Sequence, residues 1–263
     1  MNDTNESNKY ELLMEALVEL KPEIEAHLAE PVPALPTMSA VLADFGPLPR
    51  ESLLLGVAED GLPVMLNLHD SIPGPLLITA DPGAGKTAFL QTIARAVEQL
   101  HTPQNVQFGV VTNFPDEWTE FVHVQNCVGI FPFYQNSSQD FILSLASWAH
   151  ANKNARQSVL LLVDDLDAMS KLDFDAQQNL RWLLLRGPTR RVWPMITLNA
   201  QRVEQTVSWL ETFRTRIFGR IQDTQVADRM GAEKAGLGKL LPGSQFTLRE
   251  GLNWLRFWIP TLD

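Results

Sequence analysis

The sequence predicts an α/β protein: a mostly parallel sheet with helices on both faces, plus an N-terminal helical and hairpin extension. Three observations predict it. Apolar runs of strand length alternate with stretches whose apolar residues recur every three or four positions, the pattern of strands joined by crossover helices. Val159 to Val163 are apolar without alternation, as in a strand buried on both faces. And Leu76 to Leu90, LLITADPGAGKTAFL, reads as strand, glycine-rich loop and helix.

Taken in order, residues 10–29 place Leu13, Leu17, Leu20, Ile24 and Leu28 on one face of an amphipathic helix that Pro22 disturbs. Its apolar face suits packing on the domain or docking a partner. Five prolines between 31 and 49 predict a stiff connector, which makes residues 1–50 an extension and 51–263 the main domain. Two apolar segments between Ser52 and Leu68 flank Glu59-Asp60-Gly61, a hairpin signal. Then follow strand 76–79, helix 86–100, strands 106–112 and 127–131, helix 139–150, strand 158–163, helix 175–186, strand 192–198, helix 203–213 and strand 216–221. Period-two spacing returns on both sides of Gly251 and predicts a closing strand pair.

Composition excludes several classes of function. No apolar run approaches the ~20 residues that cross a bilayer, and the polar start lacks the order of a secretion signal, so a cytoplasmic location is expected. Cys127 stands alone, which rules out an internal disulfide, and the five histidines show no metal-ligand spacing. The net charge of −10 lies in the first 75 residues, with 13 acidic and 3 basic side chains; residues 76–263 carry 18 of each. The acidic total therefore does not argue against a nucleic-acid partner for the main domain.

The chemistry begins at the loop. Asp81-Pro82-Gly83-Ala84-Gly85-Lys86-Thr87 fits G-x-x-x-x-G-K-[S/T] except that Ala80 stands at the first position. Glycines at 83 and 85 can take positive φ, so residues 81 to 88, through Ala88, can cradle phosphates with amides at a helix N-terminus. Lys86 would reach the β and γ phosphates of ATP and Thr87 would offer its hydroxyl to Mg²⁺. Asp164 ends the buried strand and is placed to hold that metal, with Asp165 after it as the base that orients water. Asp165 is also a candidate cap for the next helix. Asn199 and Gln201 follow the neighbouring strand, where an amide can sense the γ-phosphate; Gln201 is the stronger candidate. Arg186, Arg190 and Arg191 crowd one short loop that could contact phosphates.

On these residues the chain resembles the motor domain of the FtsK/HerA group. VDDLDAM is similar to that group's D-E-x-x-D-x-M segment, and LLRGPTRRVWPMITLNAQR resembles its helix, loop and strand ending in T-Q-R-P. FRTRIFGRIQDTQVADRMGAEKAGLGKLLPG resembles its closing block, and the likeness covers roughly residues 52–260. The resemblance implies a RecA-like P-loop NTPase fold, ATP hydrolysis, and a homo-oligomeric, hexameric ring that threads double-stranded DNA. It also implies an arginine finger supplied to a neighbour, for which Arg216 is first choice and Arg214 and Arg186 follow. Asp165 stands where the group usually has Glu and is one methylene shorter, so either the water is reached in a slightly different geometry or turnover is slow. A nucleotide-dependent switch or scaffold, or a polypeptide-translocating relative, is the alternative. An AAA+ or STAND ATPase is disfavoured because no helical lid is read after Leu241.

Overall fold

The computed structural model describes residues 35–151, 156–169, 171–250 and 253–262. The predicted helix at 10–29 lies outside them. The compact unit from Pro36 to Asp263 is built on one ten-stranded sheet. In chain order its elements are α1 (Met38–Phe45), β1 (Ser52–Ala58), β2 (Pro63–Asn67), β3 (Leu76–Ala80), α2 (Lys86–Leu100), β4 (Val106–Thr112), β5 (Cys127–Pro132) and α3 (Asn136–Ala151). Then come β6 (Ser158–Asp164), α4 (Phe174–Arg186), β7 (Val192–Asn199), β8 (Thr215–Phe218), β9 (Gln245–Glu250) and β10 (Asn253–Trp258).

Across the sheet the order is β2-β1-β10-β9-β8-β3-β7-β6-β4-β5. From β8 to β5 every pairing is parallel; from β8 outward to β2 every pairing is antiparallel. The expected hairpin is β1–β2 and the expected closing pair is β9–β10.

Alternate residues of each central strand feed two separate cores. Leu161 and Val163 face one, with α3 and α4. Leu160 and Leu162 face the other, with Phe89, Leu90, Ile93 and Val97 of α2. Burial of each such side chain contributes about 1.5–3 kcal/mol, so the uninterrupted apolar run of β6 belongs in the middle of the sheet. Because the parallel strands point the same way, the loops after β3, β6 and β7 gather along one edge.

Three stretches differ from the sequence reading. Part of the proline-rich connector is helical: Thr37 Oγ1 accepts from Ala40 N to cap α1, and Met38 and Val41 are buried. Residues 203–213, expected as a helix, form a 3₁₀ segment, Ala200–Thr206, and one helical turn, Val207–Leu210. The strand expected at 216–221 stops at Phe218. No helix among the described residues is long and apolar enough to cross a membrane.

Candidate functional site

β3 delivers the loop to the gathered edge, where Ala80 lies level with Asn199 of β7. Gly83 and Gly85 have φ of +71° and +89°, conformations that L side chains rarely adopt. Gly85 is required on a second count, since a Cβ there would lie 2.5 Å from Cα of Gly243. Ala80 is accommodated because the residue beside it is Gly219, whose own Cβ would meet that of Ala80 at 3.0 Å. The first intrahelical bond of α2 runs from Phe89 N to Gly85 O (2.9 Å), so the amides of Lys86, Thr87 and Ala88 have no acceptor inside the helix. Together with the helix dipole they form an anion seat. Lys86 Nζ donates to Ala80 O (3.1 Å) and Asp81 O (2.8 Å). Burial lowers its pKa, against the pull of Asp164, Asp165 and Asp81.

Asp164 joins β6 to this loop. Its Oδ2 accepts from Thr87 Oγ1 at 2.8 Å, and its Oδ1 accepts from Thr197 Oγ1 at 2.9 Å. Only 6% of Asp164 is exposed, and burial pushes its carboxyl above the usual aspartate range despite the two hydroxyls. Thr87 and Asp164, two oxygen donors in contact, fit the part of a magnesium site that a protein supplies when phosphates and water complete it.

Asp165 has φ +103°, outside the regions open to most residues. Its N–H donates to Thr197 Oγ1 (2.8 Å) and its Oδ1 accepts from Asp167 N (2.9 Å), capping the turn Leu166–Met169. The carboxylate thus serves as a cap in this structure, and burial raises its pKa. Thr197 was missed by sequence reasoning: a lone hydroxyl in the apolar run MITLN reads as an ordinary strand residue, yet it holds both aspartates.

Asn199 Oδ1 accepts from Gln201 N (3.1 Å), and Gln201 is exposed just beyond β7. Arg216 lies deeper in the sheet, level with Leu77, and donates to Met230 O (3.0 Å) and Leu210 O (2.9 Å). Burial lowers its pKa. With Arg214, Arg249 and Trp254 it lines a cavity of about 390 Å³. The arginine-rich loop sits at the far end of β7 from Asn199, so it is remote from the phosphate loop of its own chain. There Arg191 is engaged by Glu51 (3.0 and 3.1 Å) and the carbonyls of Arg156 and Leu68. Cys127 is half-buried and burial raises its thiol pKa, which suits a packing role.

A central parallel strand, a phosphate loop opening a helix, and an aspartate on a nearby strand bonded to the loop's threonine define a P-loop NTPase. The NACHT domain family model matches residues 75–233, more than half of the chain, and the chain belongs to that family, which is not the FtsK/HerA group that its motifs resemble. No curated protein matches it. Among solved structures, EssC (ATPases 2 and 3) from Geobacillus thermodenitrificans has a TM-score of 0.70 at 13% identity, over 89% of this chain and 48% of that one. Thermomonospora curvata EccC (ATPases 2 and 3), in complex with a signal sequence peptide, has 0.67 at 13%, over 88% and 44%. The pCW3 conjugation coupling protein TcpA, in monomer form with ATPγS, has 0.61 at 13%, over 87% and 70%. At such identities the likeness concerns the fold, and the chain spans less than half the length of the EssC and EccC structures.

Proposed function

We propose that this chain is an ATP-hydrolysing domain of FtsK/HerA-like type that acts on double-stranded DNA as a homo-oligomeric, hexameric ring in the cytoplasm. The single observation that carries ATP chemistry is the 2.8 Å bond between Thr87 and Asp164, which brings loop and acid to one point across 77 residues of chain. Lys86 and the amides of residues 83–88 bind the phosphates. Thr87 and Asp164 hold the metal. Bound magnesium supplies charge neutralisation for the leaving phosphates. Asp165, freed from its cap, positions the attacking water, and Gln201 reports on the γ-phosphate. Arg216 acts on the site of the adjoining subunit.

The motor reading is supported by the balanced charge after residue 75 and by the fold shared with a conjugation coupling protein. A second reading, a nucleotide-dependent switch with weak turnover, is favoured by the engagement of the Asp165 carboxylate with Asp167 N. A polypeptide cargo is the third, supported by the EccC fold likeness.

Turnover with and without duplex DNA separates them. A motor shows DNA stimulation that weakens steeply with salt, Lys86→Ala abolishes MgATP binding, and Asp165→Glu raises the rate. Near-zero turnover indifferent to DNA would sink the motor reading. Retained MgATP binding in Lys86→Ala would sink the site.

A further inference from the structure

Three arginines have a buried Nε without a hydrogen-bond partner: Arg95, Arg191 and Arg220. Two are compensated elsewhere on the guanidinium, Arg95 by Glu98 (2.6 Å) and Glu120 (3.6 Å), and Arg191 by Glu51. Arg220 has no ion pair and no side-chain hydrogen bond among the described residues. A partly buried cation left unpaired costs free energy until an anion meets it.

Its place in the fold says which anion. Past the end of β8, the chain is laced along the mouth of the phosphate loop: Gly219 N donates to Thr79 O (2.9 Å), Asp81 N donates to Arg220 O (2.9 Å), and Gln222 N donates to Asp81 Oδ2 (2.8 Å). Arg220 is therefore level with the loop's first residue. β8 flanks β3 on one side, and β6, which carries Asp164, lies two strands away on the other. A nucleotide lying across the loop with its metal-bound end toward Asp164 turns its nucleoside end toward Arg220.

We propose that Arg220 binds the α-phosphate of the nucleotide, clamping it from the side opposite the metal. The planar guanidinium fork suits a phosphate oxygen pair. This inference rests on the reading that residues 81–88 hold ATP.

The test is calorimetric titration of the parent, Arg220→Met and Arg220→Lys with MgADP, MgATP and magnesium pyrophosphate, together with melting of each free protein. The expected result is that Arg220→Met weakens ADP and ATP alike by about 10- to 100-fold. Arg220→Lys recovers part of that loss, pyrophosphate affinity stays unchanged, and the free Arg220→Met protein melts no lower than the parent. Parental nucleotide affinity in Arg220→Met overturns the inference, as does a parallel loss of pyrophosphate affinity or a lower melting temperature of the free variant. If the parent itself binds no nucleotide, the loop assignment fails first and takes the clamp with it.

Discussion

Thr197 shows how much of the site depends on one hydroxyl. It donates to Asp164 and accepts from the Asp165 amide, so it fixes the metal-holding carboxylate and the strained residue after it. Thr197→Val keeps the volume, removes one of Asp164's two donors and leaves a part-buried N–H unpaired. Urea unfolding should show a loss of about 1–3 kcal/mol, and Thr197→Ser should restore most of it. Asp164 itself stands at a cost. A carboxyl whose folded pKa is raised contributes stability below its unfolded pKa and loses it as pH rises through the folded value. Nucleotide-free Asp164→Asn should accordingly unfold at higher urea than the parent at neutral pH and lose metal-dependent nucleotide affinity; equal stability of the two would contradict that account. The pairing of Thr87 with Asp164 was legible because both residue types sit at motif positions. Thr197, Arg220 and Gly243 were not. Their significance lies in neighbours far along the chain, and a single threonine, arginine or glycine carries no spacing signal of its own.

At the scale of elements, sequence periodicity located the regular pieces well. Helix 86–100 and strand 106–112 have the expected bounds. It failed where side chains compete with the backbone. After β7, Asn199 caps Gln201, Thr206 Oγ1 bonds the carbonyls of Arg202 and Val203, and β-branched Val203, Thr206 and Val207 further disfavour a continuous α-helix. The proline-rich stretch hid α1 because its prolines fall on either side of Met38–Phe45. Just past α2, His101 shows what an element boundary can sense. Its Nε2 donates to Ser52 O at 2.9 Å, and burial lowers its pKa from 6.5. A depressed histidine contributes stability that is full above its unfolded pKa and is lost as pH falls through the folded value. The unfolding midpoint should decline as pH falls below about 6.5, and His101→Gln should flatten that decline; an unchanged slope in the variant would remove His101 from the account.

For the whole molecule, the sheet divides the work. Its parallel half carries the phosphate loop and the acids, while its antiparallel half, legible in the sequence as a hairpin and a closing pair, brings Arg249 and Trp254 to the cavity that Arg216 lines. If Arg216 serves a neighbour, Lys86→Ala and Arg216→Ala subunits, each inactive alone, should regain turnover when mixed, because an Arg216 from one can complete the phosphate loop of the other. Failure of the mixture to recover, with a lowered melting temperature for Arg216→Ala, would make Arg216 a brace for the Leu210 and Met230 carbonyls instead. The stretch between β8 and β9 is pinned to the phosphate loop at both ends, by Arg220 and Gln222 on Asp81 and by Gly243 N on Ala84 O (3.1 Å). A strap buckled twice to the same plate cannot stay slack when the plate shifts. Whatever re-seats Asp81 and Ala84 therefore loads residues 220–243 from both sides.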